Sequence, residues 1–225
     1  MAITVIPNNP EFHDLLDLKA NIVFSTETGE ELALQLLKPQ WKSPGKGFPL
    51  VVFIQGSAWQ KPNQFWELPQ LALLVKRGFV VASVTHRSCW QQPAPAFLQD
   101  VKAALRFLRK NAAEYDIDPD RVCAWGTSSG GNTALLLGMT GDDPRYTSTV
   151  HPEQSDAVKL VVDVFGPTDM MSLFTGRHGD YVHVLQLQAG VLQQISHHGH
   201  QRGRVGQPAV LEGLRQQSLI LRHRH

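Results

Sequence analysis

Cysteine is nearly absent from this chain: Cys89 and Cys123 are the only two in 225 residues. Two cysteines make neither a disulfide framework nor a metal site by themselves, and both lie in or beside apolar segments, so the expectation is buried free thiols. No excess of one charge sign is present either, with 21 basic and 20 acidic residues and a formal net charge of +1. That balance lacks the electrostatic signature of a nucleic-acid or anionic-membrane partner. No apolar run is long enough to span a bilayer, and Met1-Ala2-Ile3-Thr4-Val5 lacks the basic-then-apolar order of a secretory leader. The expected location is therefore cytoplasmic, without membrane or nucleic-acid partners, and no cofactor or metal is implied.

What is present is enough apolar residue for a sizeable core: 42% hydrophobic against 18% charged, in a length that suits one domain. Residues 21–25 and 32–37 read as two strands joined by a turn at Thr28-Gly29-Glu30. Continuous apolar runs at 50–54, 79–84 and 160–165, with a shorter one at 122–125, read as strands buried on both faces. Between them, residues 68–75 and 97–113 carry helical spacing, the first ending at Arg77-Gly78. Asp118-Pro119-Asp120 reads as a turn into the fourth of these strands. Strands alternating with helices predict an α/β fold with a mostly parallel sheet and helices on both faces. Ligands of such sheets bind beyond the carboxyl ends of the strands, where the turns at 55–59, 126–131 and 166–169 converge.

The hexapeptide Gly126-Thr127-Ser128-Ser129-Gly130-Gly131 sits between a strand-like and a helix-like run. A serine at such a turn is a candidate nucleophile, because glycines two residues to either side remove the collisions that a sharp strand-to-helix turn would create. Ser129 is the poorer nucleophile, since Thr127 stands two residues before it. The competing reading is a serine that caps its own helix, or a phosphate-cradling loop. Acyl transfer also needs N–H donors for an oxyanion. The backbone N–H of Ser129 would be one, and Gln55-Gly56-Ser57-Ala58-Trp59 would supply the others, its small residues at 56–58 allowing close backbone approach.

Taken together, these segments resemble the α/β-hydrolase superfamily, within it the carbohydrate esterase, feruloyl esterase-like or acetylesterase-like group related to the hormone-sensitive-lipase type. The resemblance rests on Phe53-Ile54-Gln55-Gly56-Ser57-Ala58-Trp59, where the family has a His-Gly-Gly-Gly-Trp-like turn, and on Pro95-Ala96-Phe97-Leu98-Gln99-Asp100 leading into Leu108-Arg109. It continues through Tyr115-Asp116-Ile117-Asp118-Pro119-Asp120-Arg121-Val122, the serine turn and Gly166-Pro167-Thr168-Asp169, covering about residues 20–172. It implies Ser128 as nucleophile and Ser57, Ala58 and Ser129 as oxyanion N–H donors, while Arg87, Asp100 and Arg121 hold loops through charged hydrogen bonds. Gln55, Ser57 and Ala58 depart from the commoner His-Gly-Gly pattern, but a backbone donor survives these side-chain changes. The implied activity is a serine esterase acting on a small-molecule or carbohydrate ester, the substrate class being small acyl or aryl esters, with those of plant polysaccharides as one case. The alternative is a truncated or aberrant hydrolase with little or no activity. Trp59, Phe65 and Trp66 either line an acyl or aromatic pocket or cover the sheet edge.

After about Ser172 the resemblance stops and the composition changes. Seven of the ten histidines fall in residues 177–225, Lys159 is the last lysine, and Asp180 and Glu212 are the only acidic residues after Arg177. The expectation is a hydrolase core over 1–175, incomplete at its C-terminus, followed by a His/Arg/Gln-rich tail over 176–225 of the kind a shifted reading frame or aberrant splicing produces. Asp169 is a candidate acid of the triad, and His183, His197, His198 and His200 are candidates for its base. His197-His198-x-His200 has metal-like spacing but no neighbouring carboxylate, which favours solvated histidines.

Overall fold

The computed structural model of the protein describes residues 15–169. The 176–225 tail, the four candidate base histidines and the metal-like histidine cluster lie outside the described residues.

Six strands form one sheet in the order β1-β2-β4-β3-β5-β6, with β1 at Leu16–Ser25, β2 at Leu32–Pro39, β3 at Phe48–Ile54, β4 at Val80–Val84, β5 at Ile117–Thr127 and β6 at Leu160–Val164. The first two strands are the expected hairpin, closed by a Gly29 N–H donated to Thr26 O at 3.2 Å. Both β1–β2 and β2–β4 are antiparallel, while β4, β3, β5 and β6 run parallel. The crossovers carry α1 (Leu68–Val75), then α2 (Ala96–Lys110) with the short α3 (Ala112–Tyr115), and finally α4 (Ser129–Met139). Gly78, at φ +83°, ends the α1 segment as its position after Arg77 predicts.

The strands β3 and β4 are apolar on both sides because both faces of the sheet are covered. On one face Leu71 and Val75 of α1 pack with Leu37, Val51, Phe53 and Val81. On the other, Leu50, Val52, Ile54, Val80 and Ala82 are all fully buried. Helix α4 lies over that second face: its Gly138 abuts Val161, which pairs with Ala124 and through it with Val52.

Three sequence expectations shift. Strand β1 begins at Leu16 rather than at residue 21, because a register shift between Lys19 and Ile22 puts Asn21 at φ +55° and interrupts the alternation. The buried Gln35 fastens that irregularity, accepting from the Asn21 N–H at 2.9 Å and donating to Asn21 Oδ1 at 3.0 Å. Asp118-Pro119-Asp120 is not a separate turn but a bulge inside β5, where the register jumps between Pro49 and Leu50 of the neighbouring β3. Finally, β6 is only half covered, with Leu160 at 59% and Val162 at 38% exposure.

Helix α2 buries charge as well as leucines. Lys102 and Asp156 are fully buried and joined at 2.8 Å, and Arg106 reaches the other oxygen of Asp156 at 2.6 Å. Asp156 also accepts from the Asp142 N–H at 2.8 Å, so this ion cluster fastens the segment between α4 and β6 to α2. Arg109 does the same without a carboxylate, donating to the carbonyls of Pro119, Ser155 and Ala157. Arg87 forks onto Asp100, and Arg121 donates to Asp118 Oδ2 and to Gly47 O; these charged hydrogen bonds hold loops as expected. Cys89 is buried and Cys123 half-buried, both as free thiols, and burial pushes Cys123 up to about 11.

Candidate active site

Strand β5 delivers Ser128 at the carboxyl edge of the sheet, between the strand and the first turn of α4. Its backbone is strained, at φ +52° and ψ −124°, a region costing a non-glycine residue about 1–3 kcal/mol. Hydrogen bonds on both sides fix it: the Ser128 N–H donates to Val164 O of β6 at 2.9 Å, and Ser128 O accepts the Asn132 N–H of the first turn of α4 at 3.1 Å. Two glycines are required for close approach. A Cβ on Gly126 would stand 2.0 Å from Gly130 O, and one on Gly130 would stand 2.0 Å from Ile54 O. The half-buried Ser128 hydroxyl caps nothing in α4, which separates it from an ordinary serine N-cap.

The turn after β3 meets this elbow directly. Gly56 N–H donates to Thr127 Oγ1 at 3.0 Å and Ser57 N–H to Ser129 Oγ at 2.9 Å. The next two residues, Ala58 and Trp59, have φ of +49° and +57°. Trp59 is buried, its indole N–H donating to Asn132 Oδ1 at 3.3 Å, while Asn132 Nδ2 donates to Pro167 O at 3.0 Å. The turns at 55–59, 126–131 and 166–169 thus converge on one edge. Of the three N–H groups expected to serve an oxyanion, those of Ala58 and Ser129 are hydrogen-bonded to none of the described residues, whereas that of Ser57 is engaged by Ser129 Oγ. Trp59 is buried, whereas Phe65 and Trp66 are exposed.

The carboxylates divide between two positions. Asp169 lies on the exposed loop after β6. Asp163 was not singled out by sequence, where it reads as one polar residue in an apolar strand. It is half-buried beside Gly131 and accepts from the Gly166 N–H at 2.9 Å; burial raises its carboxyl above the ordinary range against that hydrogen bond. Two histidines are described. His86 is buried after β4 with Nδ1 on Arg87 O at 2.8 Å, and burial lowers its basicity. His151 lies against Phe107. Among the described residues no histidine is hydrogen-bonded to Ser128, no group of three or more His, Cys, Asp or Glu could hold a metal ion, and no helix is long and apolar enough to cross a membrane.

The strand order, the strained serine and the glycine-spaced turn are those of an α/β-hydrolase fold. The family model BD-FAE matches residues 34–194. The chain belongs to that family. Among curated relatives it is 30% identical over 145 residues to Esterase LipC and 28% identical over 146 residues to Esterase LipQ, both of Mycobacterium tuberculosis. Those matches cover 64% and 63% of this chain but 36% and 34% of the relatives, so the chain spans about a third of their length. A solved truncated carbohydrate esterase from gut microbiota shares 29% identity at a TM-score of 0.59, over 72% of this chain and 60% of that one. A bifunctional GH43-CE protein of Bacteroides eggerthii shares 32% at a TM-score of 0.60, over 72% of this chain and 22% of that one.

Proposed function

We propose that the chain is a serine carboxylic ester hydrolase in which Ser128 forms an acyl-enzyme. The observation that carries this is the φ +52° elbow at Ser128, whose hydroxyl is not used as a helix cap and whose two flanking residues hydrogen-bond the 55–59 turn. Ser128 Oγ attacks the ester carbonyl and gives its proton to a histidine base, for which His183, His197, His198 and His200 are the candidates. Charge develops on the carbonyl oxygen, where the Ala58 and Ser129 N–H groups donate. Collapse expels the alcohol, protonated by the same histidine, and water then releases the acid. Asp169 is the candidate acid that orients the base.

The substrates proposed are small acyl or aryl esters, including those on plant polysaccharides. The carbohydrate esterase among the similar structures supports that class. A fluorophosphonate probe on the full chain tests the reading. Labelling that Ser128→Ala abolishes supports it. A folded wild-type chain that takes no label refutes it and favours the alternative, a hydrolase fold with little or no activity.

A further inference from the structure

The two hydroxyls flanking the nucleophile perform a task that a glycine-x-serine-x-glycine pattern does not require. Thr127 Oγ1 accepts the Gly56 N–H at 3.0 Å, and Ser129 Oγ accepts the Ser57 N–H at 2.9 Å. Thus the residues immediately before and after Ser128 hold two successive amides of the facing turn. The next amide in that turn is Ala58.

That turn needs holding. Ala58 and Trp59 are consecutive non-glycine residues with positive φ, +49° and +57°. Such backbone persists only when its surroundings over-determine it. Part of the restraint is internal, since Ser57 Oγ donates to Gln60 O at 2.6 Å and the Gln60 N–H donates to Ser57 O at 2.9 Å. From outside, the Cys89 N–H donates to Trp59 O at 3.0 Å. The remaining bonds come from the nucleophile segment: Thr127, Ser129 and, through the Trp59 indole, Asn132. Ser129 is 2% exposed and Asn132 9%, so little water competes for these bonds.

We infer that the Thr127 and Ser129 side chains are positioning residues: they clamp Gly56 and Ser57 so that the Ala58 N–H is presented at a fixed place beside Ser128. In this assignment the Ser57 N–H is a tether, not an oxyanion donor, and Ser129 acts twice, by its backbone N–H on the oxyanion and by its hydroxyl on the turn. The inference rests on the esterase reading. It refines that reading by coupling nucleophile and oxyanion donor within one hydrogen-bonded unit. A displacement of about 1 Å in such a constellation lowers turnover by up to about 100-fold.

The test uses the full chain with Ser129→Ala, Thr127→Val and Thr127→Ser. Hydrolysis of p-nitrophenyl acetate is read as kcat and KM, alongside the fluorophosphonate labelling rate and hydrogen–deuterium exchange of the peptide spanning residues 55–60. Ser129→Ala and Thr127→Val are expected to lower kcat and labelling rate by about 10–100-fold, with KM within about twofold and faster exchange at 56–58. Thr127→Ser, which keeps the hydroxyl, is expected to restore most of the rate. If Ser129→Ala leaves kcat unchanged or raises it, because the released Ser57 N–H then serves the oxyanion, the clamp is overturned. A wild-type chain that folds but neither hydrolyses nor labels overturns the esterase reading, and with it the catalytic purpose of the clamp. Exchange at 56–58 unaltered in both hydroxyl-deleting variants overturns the clamp itself, whatever the activity.

Discussion

Replacing Asp156 by alanine is expected to be among the most damaging single changes outside the site. Its side chain and that of Lys102 are both 0% exposed, and the side chain of Arg106 is 6% exposed. The carboxylate faces Lys102 Nζ at 2.8 Å and Arg106 at 2.6 Å, and it accepts the Asp142 N–H at 2.8 Å. Removing it strands two buried cations, a situation that costs about 3–5 kcal/mol. At a urea dependence of about 2 kcal/mol per M, the unfolding midpoint falls by about 1.5–2.5 M. Asp156→Asn keeps an acceptor for the Asp142 amide and is expected to lose less. Urea titration followed by tryptophan fluorescence measures both. Glu114→Gln is the reference, because the Lys19–Glu114 pair is 3.4 Å apart with side chains 41% and 58% exposed, where such a loss is under about 1 kcal/mol. An Asp156→Ala midpoint indistinguishable from that of Glu114→Gln would refute the argument.

Ser128→Gly is expected to stabilise the fold by about 1 kcal/mol, by relieving the positive-φ strain, while abolishing fluorophosphonate labelling; a loss of stability in thermal melts counts against stored strain. Gly130→Ala drives a Cβ to within 2.0 Å of Ile54 O, so it is expected to lower stability by about 3 kcal/mol or more and to remove labelling together. Burial raises the Asp163 carboxyl, so in the window above the ordinary carboxylate pKa the unfolded chain releases this proton first and stability falls as pH rises through it. Asp163→Asn is then expected to be more stable than wild type near neutrality and equal to it below that window, as urea midpoints at several pH values would show. With its thiol pushed up to about 11, Cys123 is expected to react slowly with a thiol reagent at pH 8 until the protein unfolds.

The parts of the fold that were legible in sequence are those whose pattern is local. Strands β3 and β4 announce themselves as unbroken apolar runs because both faces are covered, and α1 stops where Gly78 allows the chain to turn. The bulge in β5 is not local information: Asp118-Pro119-Asp120 has turn chemistry, and only pairing with Pro49 and Leu50 makes it strand. That α2 buries Lys102 and Arg106 is not local information either, because their partner, Asp156, lies about fifty residues away. At the site, Ser128 and the glycines were legible because steric exclusion leaves a spacing behind. The side-chain task of Ser129 was not, since its hydroxyl meets the Ser57 amide only after β3 and β5 have paired.

Arg109 joins stretches of chain that no strand pairing joins. One guanidinium holds the carbonyl of Pro119 in the β5 bulge and those of Ser155 and Ala157 just before β6. With Asp142 accepting the Asp156 N–H at 2.8 Å, the segment from 141 to 158 is tied at both its ends. Breaking either tie is therefore expected to loosen the whole segment, which amide hydrogen exchange would read as a shared opening free energy at its protected amides.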